Sequence, residues 1–101
     1  MPVITSYDPK KNTLTIKVYG IFDFSAHHTF HKATEQISAI VKMIVIDLQE
    51  VNHIESEALG MLLLIKEKSI VYQQSVDIIN IQHAVKKSLI IANFDKLFNL
   101  H

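Results

Sequence analysis

The chain has 101 residues, with ten Lys+Arg against ten Asp+Glu and 49% apolar content. That length suits one domain spanning residues 1–101 with its own core, and the apolar content argues against disorder. The zero net charge gives no long-range pull toward nucleic acid or anionic lipid, and the absence of cysteine excludes disulfides, thiolate chemistry and cysteine-ligated metal.

Val3–Tyr7 reads as a short strand ended by Asp8-Pro9 and a Lys-Lys-Asn turn. Leu14, Ile16 and Val18 alternate with Thr13, Thr15 and Lys17, which predicts a half-buried strand and a hairpin with the first. Gly20–Phe24 reads as a loop, with Ser25 as the N-cap of a helix over Ser25–Ile40. Phe30, Ala33, Ile37 and Ile40 would form its apolar face. Met43–Leu48 contains the apolar run Met43-Ile44-Val45-Ile46, the pattern of a central strand covered on both faces. A short polar turn follows, then a very apolar helix over about Glu57–Tyr72. Val76–Ile81 predicts a strand, His83–Ala92 a helix and Leu97-Phe98 an edge strand. The order β-β-α-β-α-β-α-β contains crossover units, so the sheet should be α/β and mixed, of four or five strands.

Along the long helix, Ala58, Met61, Leu62, Ile65, Ser69 and Tyr72 share one face at 100° per residue. Leu59, Leu63 and Ile70 form a second stripe. That stripe either packs on a neighbouring helix or is exposed beside Ser56 to dock a partner. Ser56 stands where the first helical N–H groups have no intrahelical acceptor. Its hydroxyl can cap the helix, or carry a phosphate that the helix end welcomes.

Gly20 and Gly60 are the only glycines, so a dinucleotide loop or P-loop is excluded. Neither GxSxG nor HExxH occurs, and no nucleophile–base pair or cofactor cradle is legible. The expectation is a non-enzyme without cofactor or metal. His27, His28 and His31 lie early in the first helix, with His27 and His31 at metal-pair spacing but with no local acidic or sulfur ligand. A solvated face is the simpler reading. Lys86-Lys87 reads as solvated helix surface. The N-terminus has no apolar signal core, and no apolar run approaches the ~18 residues of a membrane helix. A cytoplasmic protein without membrane insertion is expected.

Ile54-Glu55-Ser56-Glu57-Ala58-Leu59-Gly60-Met61-Leu62-Leu63 resembles the I-D-S-S-G-L-G-x-L-L motif of STAS domains in bacterial anti-sigma factor antagonists. The likeness covers nearly the whole chain. Tyr19–Asp23 is similar to the family's G-x-L-D turn, Val45–Leu48 to its V-L-D-L strand, and Ala92–Phe98 to its G-L-D-x-L-F segment. GIFDFSAHHTFHKA, ALGMLLL and IIANFDKLF look closest to a proteobacterial branch tied to phosphorelay control. The resemblance implies a small mixed sheet with about three helices packed mainly on one face, the family's C-terminal helix being short or absent after Leu100. It implies partner switching: an unphosphorylated form that binds an anti-sigma factor or serine-protein kinase, phosphorylation at Ser56, and reversal by a PP2C-type phosphatase. Asp23, Asn52, His53, Glu55, Ser56, Glu57, Leu59 and Leu63 would form the partner surface of a monomer or weak dimer. Asp23 also reads as a turn aspartate, and His53 as an exposed loop histidine or a phosphate-steering group. Two positions depart from the motif. Glu55 keeps the family's carboxylate with one more methylene, and Glu57 puts a charge where a small hydroxyl is usual. The alternative role is a phosphate-independent STAS adaptor, for instance on a lipid-transport ABC ATPase.

Overall fold

The computed structural model describes residues 3–101. Its elements are β1 (Val3–Asp8), β2 (Thr13–Phe22), α1 (His27–Thr34), β3 (Met43–Ile54), α2 (Ser56–Val71), β4 (Ser75–Ile79), α3 (His83–Ile91) and β5 (Asn99–Leu100). Short 3-10 helices occupy Phe24–Ala26 and Phe94–Lys96. The element order is the one the sequence predicts, and β5 lies two residues beyond the expected Leu97-Phe98.

The strands lie side by side in chain order, β1-β2-β3-β4-β5. β1 and β2 are antiparallel; every later pair is parallel. Each parallel step moves the same way across the sheet. Right-handed crossovers therefore bring all three helices to one face. Burial follows this: Ile16 and Val18 of β2, Ile44, Ile46 and Leu48 of β3, and Ile78 of β4 are fully buried. They pack with Phe30 of α1, Leu62 and Ile65 of α2, and Leu89 of α3 in one core. The Phe22 and Phe30 rings meet at 5.3 Å between centroids.

β3 corrects two expectations. It is covered on one face only, since Met43, Val45 and Asp47 are half-buried while Ile44, Ile46 and Leu48 are buried. A half-buried second face was met by apolar residues, and the run looked like a doubly covered strand. Nor does β3 stop at Leu48. It pairs with β2 through Phe22↔Ile54. The pairing offset rises from 30 at Lys17↔Asp47 to 31 at Tyr19↔Glu50 and 32 at Ile21↔His53. β3 thus spends an extra residue at each of two bulges. Leu48, Val51 and Ile54 are buried at every third position instead of every second, which read as a polar turn. Gly20, at φ 78°, supplies the left-handed backbone beside the second bulge, and β2 runs on through the expected loop to Phe22.

α1 is shorter than the expected Ser25–Ile40. It closes at Thr34, whose carbonyl accepts from Lys68 Nζ at 2.9 Å. Phe30, Ala33 and Ile37 are buried as expected, but Ile40 is 65% exposed in the segment that follows. Gln74 holds that segment, its amide donating to the Ser38 and Val41 carbonyls at 2.7 and 2.6 Å. Among the described residues, no helix is long and apolar enough to cross a membrane.

Candidate functional site

The β3–α2 junction is fixed by the end of the sheet. Ile54 is buried, and Glu55 N donates to the Phe22 carbonyl at 2.9 Å. This bond ties the start of α2 to the end of β2, so Asp23 sits beside the junction. Asp23 accepts from the backbone N of Ser25 at 2.9 Å and from its hydroxyl, capping the 3-10 helix. Asp23, not Ser25, is the capping residue there. The Ser25 hydroxyl, then its N–H, holds the Asp23 carboxyl below the usual carboxylate range, with a smaller contribution from His53.

Ser56 is the first residue of the 16-residue α2 and is exposed. The N-cap position belongs to Glu55, in extended geometry at φ −95° and ψ 163°. The Glu55 side chain makes no capping hydrogen bond. The capping role open to Ser56 from sequence is therefore not the one it plays. The Glu55 carboxylate turns to His53 Nε2, 2.8 Å away, with the two side chains 49% and 58% exposed respectively. Glu57 is exposed in the first turn, where its charge suits the positive helix end. Asn52 is exposed and is the extra residue of the second bulge, between the Gly20↔Val51 and Ile21↔His53 pairs.

The junction thus gathers Asp23, Asn52, His53, Glu55, Ser56 and Glu57 at one end of the sheet. Leu59 and Leu63 extend the surface at three and seven residues from Ser56, on the same side of the helix. Leu59 is half-buried against the core; Leu63 and Ile70 are 38% and 62% exposed. Most of this second stripe is accordingly open rather than sealed under another helix. On the first face, Ala58, Met61, Leu62, Ile65 and Ser69 are buried as expected, whereas Tyr72 is 40% exposed.

Three neighbours lie outside the expected partner surface. Gly60, one turn after Ser56, is exposed, and a Cβ added there would meet nothing within 4 Å. Phe24 is 63% exposed and stacks on His27 at 4.9 Å, with His27 on His31 at 6.3 Å. Leu64, 53% exposed, lines a shallow groove between α1 and α2 with His27, His31 and Met61. The spacing Phe24, His27, His31 was the available signal: it places three rings along one face. Among the described residues, no group of three or more His, Cys, Asp or Glu side chains is arranged to hold a metal ion.

The fold is shared with anti-sigma factor antagonists. The unphosphorylated antagonist SpoIIAA superposes with a TM-score of 0.73 at 14% identity, over 98% of this chain and 86% of that one. An antagonist from Mycobacterium paratuberculosis gives 0.80 at 21%, covering 98% and 85%. An anti-sigma-factor antagonist (STAS) domain protein from Planctomyces limnophilus gives 0.78 at 12%, covering 98% and 87%. In sequence, a STAS-domain containing protein of Pseudomonas aeruginosa is 37% identical over 87 residues, 86% of each chain. The family described as "Mlab, STAS domain" matches residues 5–100. On that match, which spans the sheet, the helices and the Ser56 junction together, the chain belongs to the STAS domain family.

Proposed function

We propose that the protein is a non-enzymatic partner-switching regulator of the anti-sigma factor antagonist type, controlled at Ser56. The observation that carries this is an exposed hydroxyl on the first residue of a 16-residue helix whose N-cap residue, Glu55, makes no side-chain cap bond. Unphosphorylated, the protein binds an anti-sigma factor or serine-protein kinase through the junction and the Leu59/Leu63 side of α2. In the modification, a bond forms between Ser56 Oγ and the terminal phosphorus of a nucleoside triphosphate. The bond to the departing diphosphate breaks, and the hydroxyl proton passes to a base of the kinase. The phosphate adds roughly −1.5 to −2 charges, which the helix end accepts and an apolar interface does not. A hundredfold loss of affinity corresponds to about 2.8 kcal/mol, the scale of one charge desolvated at an interface. A PP2C-type phosphatase restores the binding form, and the cycle runs in the cytoplasm. SpoIIAA has been solved in both unphosphorylated and phosphorylated forms, and both share this fold.

The test is intact mass after incubation with the organism's serine-protein kinase, with Ser56→Ala as control, followed by calorimetric titration of the partner. One added phosphoryl group on wild type only, with about a hundredfold weaker binding, is expected. A wild-type protein that stays unmodified while binding its partner overturns the switch. That outcome supports a second reading, a phosphate-independent adaptor subunit of a larger complex such as a lipid-transport ABC ATPase. A sulfate transporter family protein from Wolinella succinogenes has the same fold, at a TM-score of 0.75 and 13% identity, an instance of this fold in a transport protein.

A further inference from the structure

Residues preferred before a helix are Ser, Thr, Asp and Asn, whose short side chains fold back onto the second or third helical N–H. Glu55 holds that position in the right backbone geometry, yet its carboxylate makes no cap bond. It is engaged by His53 at 2.8 Å. Two residues apart on extended chain, the two side chains leave the backbone on the same side, and the additional methylene of glutamate spans the gap. Asp23, the other carboxylate near His53, is committed to Ser25. The one local bond to a first-turn amide is from Ala58 N to the Glu55 carbonyl at 3.0 Å. The amides of Ser56 and Glu57 are left without a side-chain acceptor.

We propose that His53 is a positioning residue: it holds the Glu55 carboxylate away from the start of α2, keeping the first amides open for the phosphate on Ser56. The proposal rests on the reading of Ser56 as the modified residue. A carboxylate folded onto those amides would occupy the same donors as the phosphate and repel it. His53 removes that competitor without removing the charge.

The test is amide hydrogen exchange, by NMR, over Ser56–Ala58 in the full unmodified chain. His53 is exposed, so its substitution leaves the core intact. His53→Ala should free Glu55 to cap the helix and slow exchange at Glu57, whose amide is open in wild type, by about three- to tenfold. His53→Gln, whose amide can still donate to the carboxylate, should keep wild-type exchange. The double variant His53→Ala/Glu55→Ala should lose the slowing. Unchanged exchange in His53→Ala, or equal slowing in the double variant, overturns the proposal. In a kinase assay that modifies wild type, His53→Ala should also accept phosphate more slowly and His53→Gln at the normal rate. If wild type takes no phosphate while the exchange pattern holds, the Ser56 reading fails and the diversion of Glu55 stands. If wild type is phosphorylated and the exchange pattern is absent, the role of His53 falls alone.

Discussion

Replacing Ser56 by alanine should leave the stability of the protein nearly untouched. A serine that caps a helix contributes about 1 kcal/mol, within a range of roughly 0.5–2. Ser56 lies one position further on, is exposed, and makes no cap bond. Alanine is a slightly better helix former than serine, which offsets any small loss of hydroxyl solvation. The expected change is within about 0.5 kcal/mol of zero, or about 2–4 °C in melting temperature for a domain of this size. Urea titration and a thermal melt, both followed by circular dichroism, measure it. A loss of about 1 kcal/mol or more, with the slope of the urea transition unchanged, would show that the hydroxyl holds the helix after all. The reasoning that assigns the serine to chemistry would then collapse.

Gly60→Ala should stabilise the protein by about 0.5–1 kcal/mol, because an added Cβ meets open space and alanine suits a helix interior better. The same variant should bind the partner more weakly if the partner approaches the helix closely there, and unfolding and titration read the two effects separately. Asp23→Ala should be less stable than wild type at neutral pH. The Asp23 carboxyl titrates lower in the folded chain, so its contribution is present above the ordinary carboxylate range and is lost as pH falls through the folded value. The gap between the two proteins should narrow as pH falls below about 4, and a gap the same size in acid as at neutral pH contradicts the assignment. Leu62→Ala, at a fully buried position of α2, should cost about 2–5 kcal/mol in urea unfolding.

The element order and the mixed sheet were legible because β2, β4 and α3 keep clean periodicities and α2 is a long, uninterrupted apolar run. β3 was not, for a physical reason. Two bulges convert its alternation into a three-residue rhythm at Leu48, Val51 and Ile54, and that rhythm resembles no strand template. α1 was overextended because Ile37 is buried from a turn and so mimics the next helical position. The Ser56 junction was legible as a place but not as a geometry. Sequence allowed the serine to be the cap; the bond from Glu55 N to the Phe22 carbonyl sets the helix start so that Glu55 takes that position instead. The open stripe on α2 was visible in the spacing of Leu59, Leu63 and Ile70. Its exposure depended on how the neighbouring helices pack, which spacing does not encode.

The two bulges of β3 have an evolutionary consequence. They set the phase between the sheet and the first turn of α2, and one of their residues, Asn52, lies four positions before Ser56. A bulge bends its strand and raises the local twist, so it aims whatever follows it. Loss of Asn52 would erase the second bulge and its bend, and so re-aim the first turn of α2 and Ser56 relative to Asp23. Descendants of this chain should therefore exchange residue types at the exposed positions Gln49, Glu50 and Asn52 while keeping Val51 and Ile54 apolar and conserving the segment's length. Partner specificity can drift here by substitution, but insertions and deletions are closed to it.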